Sequence, residues 1–193
     1  MFIHEGTNSI VHLSKDTVIK TLKTSSILNF ENCIKLQNLT NEYYHNISKH
    51  IFVPKTVCEY TTEDNNRYIF RQIQIYCGDN ILNLSKNKKY TQIKELKAKS
   101  LIYLQKLPEN ILIDAHPLNF VINKNNDVAY VDVMPPLVTL EPKDTFIKEL
   151  FPIFVHKDSE QLNRRMFRYA TIQGRLKKYA YYEEIIKVRL ANN

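Results

Sequence analysis

Apolar and polar positions alternate with a period of two through the first quarter of the chain and again before residue 76, and longer helical stripes follow. Ser9-Ile10-Val11-His12-Leu13 is short and β-prone, Ser14-Lys15-Asp16 is a turn, and Thr17-Val18-Ile19-Lys20-Thr21-Leu22 predicts a second strand. Residues 29–50 predict a helix with Ile34, Leu36 and Leu39 in its apolar stripe and Glu42 in its later part; Pro54 ends it. Lys55 to Tyr60 and Arg67 to Ile75 predict two strands joined by the polar turn Thr61-Thr62-Glu63-Asp64-Asn65-Asn66. In the second of these, Ile69, Arg71, Ile73 and Ile75 alternate with Phe70, Gln72 and Gln74, before the connector Tyr76-Cys77-Gly78-Asp79.

A helical stripe of Ile93, Leu96, Leu101, Leu104 and Leu107 predicts a helix from Tyr90 to Leu107, supported by the i,i+4 pair Glu95–Lys99 and stopped by Pro108. Phe120-Val121-Ile122 and Val128-Ala129-Tyr130-Val131 predict two short strands about the tight polar turn Asn123-Lys124-Asn125-Asn126-Asp127. Such a hairpin brings its outer ends, Asn119 and Asp132, close together. Pro135-Pro136 and Pro142 predict an extended exit, and the C-terminal part reads as one or two helices, about 158–173 and 176–190.

Period two places Lys20 on one strand face with Val18 and Leu22. Either an anion waits there or Lys20 guards an edge strand against aggregation; the strand pattern alone leaves both open. Glycine is confined to Gly6, Gly78 and Gly174, so Gly6 and Gly78 are candidates for backbone positions that exclude a side chain. The net charge of +7 suits an anionic partner. The densest basic cluster is Arg164, Arg165, Arg168, Arg175, Lys177 and Lys178, expected as a solvated helix face or as a surface for RNA or phosphate. Three cysteines, Cys33, Cys58 and Cys77, with no Cys-x-x-Cys pair suit a reducing compartment. Met1-Phe2-Ile3-His4-Glu5 turns polar at once, so no signal peptide is expected, and no apolar run approaches the ~20 residues of a membrane helix. A cytoplasmic protein without membrane contact is the expectation.

The chemistry concentrates in Asp114-Ala115-His116-Pro117-Leu118-Asn119-Phe120 and, thirteen residues after Asn119, Asp132. An acid, an amide and a second acid at these offsets are what a phosphotransferase uses to hold a hydroxyl and magnesium-ATP. Together with the order of elements, they resemble the protein-kinase-like fold, and within it aminoglycoside phosphotransferases and choline kinases. Those families carry His-Gly-Asp-x-His-Pro-x-Asn; the chain fits from Asp114 onward, with Leu112-Ile113 in place of His-Gly. The resemblance spans roughly residues 5–135. It implies an α+β, bilobal architecture. Residues 1–76 would form a nucleotide-binding antiparallel sheet with one helix. Residues 77–193 would form a reduced, mostly helical lobe with the catalytic loop and metal-binding hairpin.

The resemblance also implies roles. Asp114 looks like the acid-base that orients and deprotonates the acceptor hydroxyl. Asn119 and Asp132 look like magnesium ligands. His116 looks like a loop histidine that packs and hydrogen-bonds rather than carrying protons. Lys20 looks like the strand lysine on the α- and β-phosphates, with Glu42 as its helix partner and Glu31 as a second candidate. Gly6, in Glu5-Gly6-Thr7-Asn8-Ser9, would turn over the phosphates. Val11 and Val18 would line the adenine slot, and the backbone of Gln72, Gln74 and Tyr76 would bind the adenine edge. The implied activity is ATP- and Mg2+-dependent phosphoryl transfer to the hydroxyl of a small molecule, because the short C-terminal part cannot build a peptide groove. The alternative is a kinase-like nucleotide-binding regulator or pseudokinase whose basic C-terminal helices meet a protein or RNA. A metal oxygenase or hydrolase using Asp114 and His116 is a third reading, which lacks an evident second histidine.

Overall fold

Asn29 fixes the start of the first helix. Its side-chain oxygen accepts the Asn32 N–H at 2.8 Å, capping α1, Phe30–Ser48. In this computed structural model the described residues are 2–5, 9–14, 16–23, 29–63, 67–136 and 158–191. Gly6, His156 and the Pro142 exit lie outside them. The buried stripe of α1 is Cys33, Leu36, Thr40, Tyr43 and Ile47, with Asn32 beside it; Ile34 and Leu39 are only half-buried.

The chain divides into two compact units. The described part of the first includes residues up to Tyr44 and Pro54–Tyr76; the second includes His45–Val53, Cys77–Pro136 and the chain from Asn163. The architecture is α+β, with antiparallel sheet pairing and separate helices.

The first unit is built on β1 (Phe2–Glu5), β2 (Ser9–Ser14), β3 (Thr17–Leu22), β4 (Thr56–Glu63) and β5 (Arg67–Ile75). They form one antiparallel sheet in the order β1-β2-β3-β5-β4. The central strand is therefore β3, which removes the edge-strand reading of Lys20. Directly opposed residues share a sheet face. The register aligns Val11, Lys20, Gln72 and Cys58 across one face, and Val18 and Gln74 in the next row of that face. This face meets α1: the Gln72 amide reaches the Thr40 hydroxyl at 3.5 Å, and the Gln37 amide donates to the Cys58 carbonyl at 3.3 Å.

The second unit begins with α2 (Ile81–Lys86) and α3 (Tyr90–Lys106). The sequence reading stopped at the connector and missed α2. Its signal is Asn80, whose side chain accepts the N–H groups of Leu82 and Asn83, each at 3.1 Å. The expected hairpin is present as β6 (Phe120–Ile122) and β7 (Val128–Tyr130). Asn123 organises its turn, accepting from Asn125 N–H at 2.8 Å and Asp127 N–H at 2.9 Å, while Asn126 takes the left-handed conformation that asparagine tolerates. All six strand residues are buried, and Phe120 and Tyr130 reach zero exposure. Burying side chains of this size contributes about 1.5–3 kcal/mol each.

Both outer edges of the hairpin are occupied. Asp79 exchanges two backbone hydrogen bonds with Ile122, each 3.0 Å, and Tyr130 N–H donates to Phe52 O at 3.0 Å. Gly78 makes the first of these approaches feasible. Its φ is +146°, and a Cβ there would lie 2.3 Å from Ile122 O.

Two helices follow, α4 (Ser159–Ala170) and α5 (Ile172–Ala191). The break falls at Thr171, ahead of the expected division between residues 173 and 176. The Thr171 hydroxyl accepts the Gly174 N–H at 3.0 Å, and the Glu109 carboxylate accepts the Ile172 N–H at 2.9 Å, so α5 is capped at Thr171. Gly174 lies in the first turn of α5, where a Cβ would meet Phe167 O at 1.8 Å. It serves close packing, not helix termination.

Candidate functional site

The acid loop inherits its geometry from an alternation. Ile113, Ala115 and Pro117 are buried, which turns Asp114, His116 and Leu118 to the other side. Ile113 N–H donates to Tyr169 O at 3.1 Å, fastening the strand-like segment to α4. Pro117–Asn119 then form one 3₁₀ turn, with Asn119 N–H on His116 O at 2.9 Å.

Asn119 links the three residues. Its amide nitrogen donates to the Asp114 carbonyl at 3.1 Å and to Asp132 Oδ2 at 3.4 Å. Val131 N–H donates to Asn119 O at 2.9 Å, continuing the hairpin outward and setting Asp132 beside Asn119. The Tyr130 hydroxyl reaches the Asp114 carbonyl at 3.4 Å from the same strand. Asp114, Asn119 and Asp132 therefore converge within one unit. Amide and carboxylate oxygens are hard donors of the kind Mg2+ selects, and that ion needs only one or two protein carboxylates beside phosphate and water. No group of three or more His, Cys, Asp or Glu side chains is placed to hold a metal among the described residues.

His116 is folded into the loop as the motif implies. Its Nδ1 accepts the Leu118 N–H at 3.2 Å, and its ring packs against Tyr182 with centroids 4.4 Å apart. Burial pushes its pKa below the usual histidine value; nearby Asp114 opposes that shift, while Lys178 and Arg189 add to it. Neutral His116 is thus the favoured form at pH 7.

Two members of the basic cluster are not a solvated face. Lys178 Nζ stands 2.7 Å from Asp114 Oδ1 and 3.8 Å from the centroid of the Tyr169 ring. Arg175 is wholly buried. Its guanidinium donates to the carbonyls of Leu107 (2.7 Å), Pro108 (2.7 Å), Ile111 (2.6 Å) and Tyr169 (3.1 Å), with Leu104 at 3.5 Å. The reason lies in Pro108, which has no N–H to give the Leu104 carbonyl at the end of α3. Arg175 closes that helix end from another part of the chain. Arg164 and Arg168 are exposed as expected, and Lys177 is exposed with its ammonium 5.9 Å from the Phe167 ring.

The first unit collects Lys20, Val11, Val18, Gln72 and Gln74 on one sheet face, with Lys20 half-buried. Gln72 and Gln74, expected at the adenine edge, are strand residues. Both lie inside β5, which ladders to β3 and to β4, so their backbone groups serve the sheet. Their buried side chains face Thr40 and Thr56, the latter at 2.9 Å. Tyr76 is the first residue past β5, and its N–H donates to Asp16 O at 2.8 Å. Glu42 is exposed on α1, away from the buried stripe, and enters no ion pair among the described residues, Lys20 included. Glu31 pairs instead with Lys35 at 3.1 Å.

No helix among the described residues is long and apolar enough to cross a membrane. No family model matches the chain, and no curated protein matches it. Among solved structures it is similar to the co-crystal structure of WbdD with the kinase inhibitor LY294002, at a TM-score of 0.38 and 13% identity over 86% of this chain. A second WbdD crystal structure is similar at a TM-score of 0.40 and 12% identity over 88% of this chain. The chain spans about a third of the length of these proteins, 35% and 36%.

Proposed function

We propose that the chain is a kinase-like phosphotransferase that moves the terminal phosphoryl group of ATP to the hydroxyl of a small molecule. One observation carries the reading: a single amide, Asn119, joins the backbone of Asp114 to the carboxylate of Asp132. Asn119 and Asp132 would hold Mg2+, which neutralises phosphate charge when bound. Asp114 would orient the acceptor hydroxyl and take its proton as that oxygen bonds to phosphorus and the bond to the ADP oxygen breaks. Lys20 would contact the α- and β-phosphates, and Val11 and Val18, on its sheet face, would flank the base. This chemistry requires mainly positioning and charge neutralisation from a protein. The thiols of Cys33, Cys58 and Cys77, none of them in a disulfide, fit a cytoplasmic setting.

A specific observation supports a second reading, a nucleotide-binding regulator with a protein or RNA partner. Asp114 Oδ1 is already buried against Lys178, which occupies one of the two oxygens an acceptor hydroxyl would approach. That reading expects magnesium-ATP to bind with negligible turnover until a partner is added.

Melting the protein with and without magnesium-ATP, then assaying transfer to sugars, aminoglycosides, choline-like alcohols and nucleosides, separates the two. Specific binding raises the melting temperature by mass action. Asp132→Ala should abolish the magnesium-dependent shift and turnover, and Asp114→Asn should keep the shift and lose transfer. An Asp132→Ala variant with wild-type binding and turnover refutes the metal assignment.

A further inference from the structure

We infer that Lys178, far from the acid loop in sequence, is the positioning residue for Asp114; the inference rests on the phosphotransferase reading. The side chains of Lys178 and Asp114 are 9% and 31% exposed, yet Asp114 Oδ1 is closed off and accepts no hydrogen bond. The ammonium lies 2.7 Å from it, within ion-pair distance. A carboxylate held at Oδ1 by Lys178 would leave Oδ2 as the oxygen that takes the acceptor hydroxyl.

The clamp is itself held in place. The Tyr169 ring face supports the ammonium at 3.8 Å, a cation–π contact. One turn earlier on α5, Arg175 ties the helix to carbonyls at the end of α3 and in the 108–111 turn. One turn later, Tyr182 packs on the His116 ring. Residues 175, 178 and 182 share a helix face, so the register of α5 decides where the Asp114 carboxylate points.

The test compares Lys178→Met, Lys178→Arg, Asp114→Asn and the double variant Asp114→Asn/Lys178→Met in the full chain, with magnesium-ATP hydrolysis as the turnover probe. Lys178→Met should lower kcat roughly 10- to 100-fold, the scale of a misplaced catalytic group, with the KM for ATP unchanged. Lys178→Arg should restore part of the loss, and Lys178→Met should cost nothing further in the Asp114→Asn background. An unchanged or higher kcat, or an equal further loss in that background, overturns the inference. Two readouts do not require turnover. In a crystal structure of Lys178→Met the Asp114 carboxylate should rotate away from its clamped orientation, and an unchanged rotamer overturns the inference. In thermal melts the double variant should melt no lower than Lys178→Met, and strictly additive losses overturn it. A wild-type chain with no turnover but a rotated carboxylate and non-additive melts sinks the phosphotransferase reading while the clamp stands.

Discussion

Replacing Arg175 by Met keeps side-chain length and removes every donor. Five carbonyls lie within reach of the guanidinium. Two of them keep other partners: Ile113 N–H remains on Tyr169 O, and Ile111 N–H remains on Pro108 O, each at 3.1 Å. The carbonyls of Leu107 and Ile111 have no other donor among the described residues, and Leu104 faces the imide nitrogen of Pro108. Leaving a buried acceptor unpaired costs roughly 1–3 kcal/mol. Three such acceptors, less the relief of no longer burying a guanidinium among neutral carbonyls, put the net loss at about 3–5 kcal/mol. For a domain with total stability of about 5–15 kcal/mol, that is a large share. At about 2–4 °C per kcal/mol, the melting temperature should fall by roughly 6–20 °C. Urea unfolding followed by circular dichroism measures the loss, and Arg175→Lys, with fewer donors at one point, should recover part of it. A loss below about 1 kcal/mol for Arg175→Met, within the range of ordinary surface changes, would refute the account of Arg175 as the structural cap of α3.

Gly78→Ala should destabilise by about 2–4 kcal/mol, because the positive φ and the contact with Ile122 O leave no room for a methyl group; an unshifted urea midpoint contradicts this. Tyr179, hydrogen-bonded to Ser100, has its phenol pushed up to about 12 by burial, with Glu183 adding to the rise. The folded state therefore favours the neutral phenol. Its contribution is constant below about pH 10, the unfolded value, and is lost as pH rises toward 12. Melting temperatures from pH 9 to 11.5 should fall less steeply for Tyr179→Phe than for wild type, once compared at each variant's own neutral-pH value. Burial also raises the Cys58 thiol to about 11 and raises Cys33, so at pH 8 an alkylating agent should modify Cys77 first. Mass-mapped labelling that finds Cys58 fastest would contradict that burial.

Much of the site's local geometry was legible because it rests on short-range rules. The polar turn Asn123–Asp127 between two apolar triplets specifies a hairpin, and a hairpin places Asn119 near Asp132 whatever surrounds it. The alternation of Ile19, Lys20 and Thr21 was likewise readable, although the strand's central place in the sheet was not, since pairing order depends on contacts distant in sequence. Arg175 and Lys178 were illegible for a physical reason. A basic residue on a helix is by default solvated, and only tertiary structure supplies the carbonyls and carboxylate that make burial tolerable. A faint signal existed: Arg175, Lys178, Tyr179, Tyr182, Glu183 and Ile186 recur at helical spacing, a stripe whose charges invite the question of what they face. Pro108, with its missing N–H, was the other half of that signal. The helix break, expected between residues 173 and 176, falls earlier because Thr171 caps α5, while Gly174 admits a neighbouring backbone.

The dependence of the 113–119 loop on α5 has a temporal side. A ribosome releases the residues of that loop well before it releases residues 175–182, and domains gain structure as their parts emerge. Until α5 is made, Leu104 and Ile111 lack their donor and the Asp114 carboxylate lacks its counter-ion. The nascent chain thus carries Asp114, Asn119 and Asp132 without these contacts for the interval in which α5 is being translated, and the loop gains its described geometry only when that helix docks.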